Sequence, residues 1–340
     1  MKRSTVRPRV LVLAGEALFQ SFFDARRRRG LSRSFSWSRL SDRRMTPRLR
    51  QALAAADGLV TTWDSPAFGP ELLDVAPRLR VIGHCGGEVK GRFARELFTR
   101  LTITNAPDPM AEPVAELALA FALAAVRRLD EHRESLRRPS SRVYTRIHRR
   151  GLDRETLRGR TVGLVGFGRI GQAFARLLRP LGARLLVHDP FALAAVVHKN
   201  GGTRTALTRV LRASDVFVLA AALTDETRGL LDRRRLALLR TGATVVNVAR
   251  GGLVDLDALT REVRRGRLRC ALDVTDPQEP LPPRHPLRRL RGALVTPHVG
   301  AAGREVRLQM ADLVMGDLER FFRGQRPRRR VTVTRLDRMT

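Results

Sequence analysis

The sequence predicts an α/β protein made of two doubly wound parallel-sheet domains, and three observations carry that prediction. From Arg160 onward, short apolar runs at 161–165, 184–188, 215–219, 243–248, 269–273 and 293–296 alternate with helical stretches. The first hundred residues show the same alternation on a smaller scale. Thr161-Val-Gly-Leu-Val-Gly-Phe-Gly-Arg-Ile-Gly171 reads as a buried strand that enters a glycine-rich turn and then a helix. A chain of 340 residues is long for one core and suited to two.

In chain order, Val10–Leu13, Gly58–Thr62, Leu79–Ile82 and Leu101–Thr104 read as the strands of a small first domain. The Arg/Ser-rich piece 26–44 between them lacks a clear pattern. Glu112–Leu129, with alanine and leucine on nearly every turn, predicts one long buried helix opening after Pro109 and Pro113. The segment 133–158 is polar, basic and broken at Pro139, so it is expected to be a surface excursion or a partner-binding arm. A last helix over Arg304–Arg323 is expected to return to the first domain, followed by an arginine-rich tail. The expected division is 1–108 with 300–330 as one discontinuous domain, 109–299 as the second, and 331–340 as a basic tail.

Hydrophobic residues make up 43% of the chain, enough for substantial cores. The longest apolar run, Leu117–Val126, is shorter than a membrane span, and Met1-Lys-Arg-Ser leads into no apolar signal region. A cytoplasmic protein without a membrane partner is expected. Cys85 and Cys270 are too few for a disulfide framework or a metal cluster. The formal net charge is +32, nearly all of it arginine, since lysine occurs only at Lys2, Lys90 and Lys199. Such a charge attracts polyanions non-specifically. The arginines are nevertheless scattered, aromatics are only 5%, and no nucleic-acid motif is present. The densest runs are Arg26–Arg29 and Arg326–Arg330.

The glycine run has the chemistry of a dinucleotide cradle. Gly166 permits a tight turn, Gly168 lets backbone amides approach a pyrophosphate, and Gly171 lets the helix pack against the strand. The helix N-terminus, with its free N–H groups and dipole, favours phosphate. Asp189 follows the next strand near the offset of about 20 residues at which an acid accepts ribose hydroxyls and repels a 2′-phosphate, which points to NAD rather than NADP. Ligands of open parallel sheets bind beyond the carboxyl ends of the strands. Gly166, Asp189, Arg250, Asp273, Glu279 and His298 all fall there. Arg250 offers a fork of donors that matches a carboxylate, and its small neighbours leave room for a ligand. An imidazole titrates near neutrality, so His298 with a carboxylate partner suits general acid–base work.

Together these residues resemble the D-isomer-specific 2-hydroxyacid dehydrogenases over most of the chain. Leu157–Gly171 is similar to the family's cofactor signature, Val245–Asp255 to its arginine signature, Leu272-Asp-Val with Glu279-Pro to its glutamate signature, and Pro297-His-Val-Gly300 to its histidine signature. Val114-Ala-Glu116 and the loop His84–Gly91 also resemble family segments. The resemblance implies a Rossmann cofactor domain inserted in a flavodoxin-like substrate domain. It further implies that Gly166, Gly168, Arg169, Ile170, Gly171, Asp189, Ala249 and Asp273 contact NAD, with Asp273 near the nicotinamide carboxamide. Backbone groups at Gly86, Gly87 and Val89 would hold the substrate carboxylate together with Arg250. His298, paired with Glu279, would protonate a 2-oxo acid as NADH delivers hydride to C2, giving a D-2-hydroxy acid. A homodimer through the cofactor domain, with 127–158 taking part, is likewise implied.

The chain departs from the family pattern in three places. Ala220 and Ala222 stand where the family has His and Pro; piece 26–44 matches nothing in the family; and Asp273–Pro280 carries one residue more than usual. Counting from Asp273 puts Gln278 at the acid's position, as in formate dehydrogenases of the superfamily, whereas anchoring on Glu-Pro puts Glu279 there. A corepressor-like NAD-responsive binding protein is the reading from another functional class.

Overall fold

The structure, a computed structural model, describes residues 7–136, 149, 156–336 and 339. Most of the basic excursion expected at 133–158 therefore lies outside the described residues, as does most of the segment expected to serve a dimer. The chain divides into two compact units, Met1–Met110 with Ala302–Thr340, and Ala111–Ala301. Both crossings fall a couple of residues later than the expected boundaries.

The first unit opens with β1 (Arg9–Leu13), α1 (Glu16–Phe22), α2 (Ala25–Ser34), β2 (Ser36–Leu40), α3 (Pro47–Ala54), β3 (Gly58–Thr61) and α4 (Leu72–Val75). It continues with β4 (Val81–His84), α5 (Leu97–Arg100) and β5 (Thr102–Asn105). Its five strands are parallel in the order β2-β1-β3-β4-β5. The unpatterned piece 26–44 contains two of these elements. Asp24 caps α2 by accepting from the Arg27 amide (2.9 Å), and Leu31 is fully buried. Arg27, the one inward member of its arginine run, holds Asp24 and Asp312 and donates to the Leu308 carbonyl.

The second unit begins with α6 (Ala111–Val126) and α7 (Leu129–Leu136), divided by Arg128 at a positive φ of 52° where one unbroken helix was expected. By length and composition Asp108–Val126 is apolar enough to cross a membrane, which the shorter run 117–126 did not suggest. Here α6 packs on the second unit's sheet, with Ala115, Ala118 and Ala122 fully buried. Then come β6 (Thr161–Val165), α8 (Arg169–Leu178), β7 (Arg184–His188), α9 (Ala194–Lys199), β8 (Gly202–Arg204), α10 (Leu207–Ala213) and β9 (Val216–Leu219). They are followed by α11 (Arg233–Leu238), β10 (Thr244–Asn247), α12 (Leu256–Arg264), β11 (Arg269–Leu272) and β12 (Ala293–Val295). The seven strands are parallel in the order β12-β11-β10-β9-β6-β7-β8. The three-residue edge strand β8 is absent from the sequence reading.

After the second crossing, α13 (Arg304–Phe322) packs on β4, and α14 (Val333–Leu336) follows. The stretch set apart as a basic tail is tied down at its start. The Val331 amide donates to Ile103 (2.8 Å), and Val331 and Leu336 are buried in the first unit's core, because apolar positions punctuate the charged ones.

Candidate active site

Strand register explains why distant residues gather in the second unit. Val165 is level with both His188 and Leu219, Leu219 with Asn247, Asn247 with Leu272, and Leu272 with Val295. Every chain segment that leaves this row therefore starts at one edge of the sheet, the carboxyl edge where ligands of such sheets bind.

At the centre of that edge Gly166 adopts φ 92°, and a Cβ there would lie 2.5 Å from the Ala221 nitrogen. A Cβ on Gly171 would lie 2.3 Å from the Gly166 carbonyl oxygen, so the first turn of α8 seats directly on the loop. Gly168 faces open space at the α8 N-terminus, where the free amides of the first turn favour an anion. Beside it, Asp189 accepts from the Phe167 amide (2.6 Å) through one oxygen and from the Phe191 and Ala192 amides through the other. Asp189 also lines a cavity of about 450 Å³ with His188, Pro190, Ala194 and Arg204. The residues present thus fit a dinucleotide: an open glycine at a helix N-terminus, then an acid and a cavity at the next strand end. A cavity of about 310 Å³ elsewhere in this unit, lined by Phe121, Leu129, Arg269 and Leu294, includes none of the strand-end residues and is no part of the site.

The turn after β9 holds without the family's His and Pro. Thr227 donates to the Ala222 carbonyl (2.7 Å) and accepts from the Thr224 amide (2.7 Å). Beyond β10, buried Asn247 donates to the Arg250 carbonyl (2.9 Å) and accepts from the Ala249 amide (3.1 Å), which fixes the arginine's backbone. Arg250 is half-buried, and its guanidinium donates to the Ala249 carbonyl (2.7 Å). Gly251 is required next to it, since a Cβ would lie 2.1 Å from the Thr275 carbonyl carbon. That close approach brings the arginine loop against the loop carrying Glu279.

Glu279 and His298 meet: His298 Nδ1 donates to Glu279 Oε1, while Glu279 Oε2 accepts from the Thr275 amide (3.1 Å). Gln278 contributes its carbonyl to the Thr275 hydroxyl (2.6 Å). His298 sits at φ 57°, a conformation that costs a non-glycine residue roughly 1 kcal/mol or more. Asp273 holds it there. The Asp273 carbonyl accepts from the His298 amide (2.9 Å), and its buried carboxylate accepts from Thr296 Oγ1 (2.5 Å) and from the Val299 (2.8 Å) and Gly300 (2.9 Å) amides. With about four lone-pair sites, that carboxylate retains capacity for roughly one more donor. Asn247, Thr275 and Thr296 are positioning residues that the sequence signals only by place, the first two inside the arginine and glutamate signatures and Thr296 immediately before the histidine signature.

In the first unit, β4 ends at His84, level with Thr61 and Asn105, and the following loop carries Gly86, Gly87 and Val89. The Gly86 carbonyl accepts from the Ala106 amide (3.0 Å) and the Gly87 carbonyl from Asn105 Nδ2 (2.7 Å). A Cβ on Gly86 would lie 2.4 Å from His84 Nε2, so a larger residue there displaces buried groups. The Val89 side chain is fully buried and belongs to the core. His84 is also fully buried and bonded to Thr61 Oγ1 (2.9 Å); burial, aided by nearby Arg92, pushes its titration down to about 3.

A glycine cradle on a parallel seven-stranded sheet, with an arginine and an acid–histidine pair at the same edge, defines the class: a dinucleotide-dependent oxidoreductase. Comparison with known proteins agrees. The family described as D-isomer specific 2-hydroxyacid dehydrogenase, NAD binding domain, matches residues 119–300. A glyoxylate reductase of Aeropyrum pernix is 36% identical over 261 residues, covering 76% of this chain and 77% of the relative. Among solved structures, the TT0316 protein from Thermus thermophilus has TM-score 0.75 and 33% identity, covering 95% of this chain and all of that one. An NADPH-dependent glyoxylate/hydroxypyruvate reductase from Sinorhizobium meliloti, in complex with NADP and malonate, has TM-score 0.76 and 28% identity over 96% of this chain and 98% of its own. The chain belongs to the D-isomer-specific 2-hydroxyacid dehydrogenase family and is an NAD-binding enzyme of that family.

Proposed function

We propose that this enzyme reduces a small 2-oxo acid to the D-2-hydroxy acid, with His298 as general acid, Glu279 as its partner and Arg250 as the carboxylate and carbonyl anchor. The observation that carries the reading is the Glu279–His298 hydrogen bond at a strand edge that also bears Arg250. The Glu279 carboxylate on Nδ1 orients the ring and leaves Nε2 to hand a proton to the substrate's carbonyl oxygen. The fork of Arg250 draws charge toward that oxygen while its donors orient the carboxylate. Gly166, Gly168, Arg169, Ile170 and Gly171 are assigned to the pyrophosphate, Asp189 to the adenosine ribose with preference for NAD, and Ala249 and Asp273 to the nicotinamide side. Bound NADH supplies the hydride that C2 accepts. The main chain at Gly86, Gly87 and Val89 is assigned to the substrate carboxylate on the family resemblance. A formate-type reaction through Gln278 draws no support from the geometry, since that residue offers its main-chain oxygen to Thr275. A homodimer is proposed on the same resemblance, and a cytoplasmic location on the sequence pattern given above.

The test is NADH oxidation against a panel of 2-oxo acids, headed by glyoxylate and hydroxypyruvate because of the similar reductases, with a His298→Ala variant in parallel. Turnover that this change abolishes supports the assignment. Cofactor binding with no acid reduced would sink it in favour of an NAD-responsive binding protein.

A further inference from the structure

The arginine run Arg26–Arg29, which the chemistry does not use, lies on the first unit beside the last helix. Helix α2 lies alongside α13: Arg27 reaches Leu308 and Asp312, and one helical span later Ser34 Oγ donates to Glu319 Oε1 (2.7 Å). Arg323 stands 3.8 Å from the other oxygen of Glu319, so the end of α13 continues where α2 stops. With Arg27 and Leu31 turned inward, Arg26, Arg29 and Arg33 form an exposed stripe at i, i+3 and i+7. None of the three makes an ion pair among the described residues. The nearby acids Asp24, Asp312 and Glu319 are engaged by Arg27, Ser34 and Arg323. The stripe spans about 10 Å of helix axis, roughly three phosphate steps of a duplex strand.

We infer that this face is a docking surface for double-stranded nucleic acid, gripped through backbone phosphates by Arg26, Arg29, Arg33 and Arg323 without regard to sequence. Guanidinium groups match phosphate oxygens, and the contact releases counterions. A membrane surface fits less well. The large hydrophobic side chains exposed among the described residues, such as Leu129, Phe191 and Leu193, all lie in the second unit, so this face has no apolar anchor. The aromatic rings near this face, Trp37, Phe321 and Phe322, are partly buried against the core rather than presented for stacking, which disfavours a single strand.

The experiment measures binding of the full-length protein to short labelled duplexes of unrelated sequence over a salt series around 0.1 M. It compares wild type, Arg26→Gln/Arg29→Gln/Arg33→Gln, and a charge-matched control, Arg209→Gln/Arg233→Gln/Arg234→Gln, on the second unit. The expected result is equal affinity across sequences, at least about tenfold weakening in the α2 triple with a salt slope flatter by about 2.7, and near wild-type behaviour in the control. NADH oxidation should survive in both triples. Equal weakening by both would mean diffuse charge and overturn the proposal, as would absence of duplex binding, or α2-dependent binding to phosphatidylserine vesicles but not to duplex. If the triple fails to fold, Arg29→Gln and Arg323→Gln taken singly must each flatten the slope by about 0.9; no change in either overturns the surface.

Discussion

Two histidines at strand ends show how different the surroundings of one side chain can be within a single fold. His84 closes β4 of the first unit, fully buried against Thr61, and stays neutral at physiological pH because burial makes its charged form costly. His298 follows β12 of the second unit, partly exposed, held at a left-handed backbone angle by Asp273 and bonded to a carboxylate. Position beyond a parallel strand therefore does not by itself fix a histidine's chemistry; the proposed role of His298 rests on its carboxylate partner and its access to solvent.

The comparison breaks most sharply if His298 is exchanged for asparagine. His298→Asn should lower kcat by about 10²–10⁴-fold, the usual worth of a positioned acid, while the melting temperature stays within a few degrees. Retained turnover would remove His298 from proton transfer. The next largest effect separates neighbouring residues: Glu279→Gln should cost about 10²-fold in kcat, whereas Gln278→Ala, which keeps the main-chain oxygen that Thr275 uses, should leave it near wild type. The reverse pattern would restore the glutamine reading.

A smaller effect sharpens the other side. In the unfolded chain an imidazole takes a proton near pH 6.5, but in this fold His84 does so only near 3. Between those values the unfolded state binds more protons, so stability falls as pH falls, by up to about 1.4 kcal/mol per unit. Denaturant unfolding from pH 6.5 to 5 should show that loss, and His84→Gln should flatten it; an unchanged slope would place the proton elsewhere.

Much of this was readable in advance because parallel strands buried on both faces leave apolar runs that turn residues punctuate. The glycine cradle, Arg250 and His298 carry spacing constraints that sequence displays directly. What escaped had specific causes. In α2 the arginine run hides one inward member, Arg27, among three outward ones, so the helix shows a weak apolar stripe. The edge strand β2, Ser-Trp-Ser-Arg-Leu, is only half covered and reads as loop. The pairing of His298 depended on the path of 275–280, where Thr275 binds both its neighbours; counting residues along the chain does not reveal which side chain that path turns toward His298. Asn247 and Asp273 act by holding backbone, a role that residue type alone does not announce.

The way the chain threads its two units also sets a timetable for its synthesis. Every strand of the seven-stranded sheet, from Thr161 to Val295, precedes α13 in the chain and so emerges from the ribosome before it. The first unit begins earlier but waits longest, because Met310, Val314, Leu318 and Val331 fill its core from the far end of the message. The nucleotide-binding unit is thus the first able to finish folding during translation, while the N-terminal strands stay incomplete until α13 and Val331 have emerged.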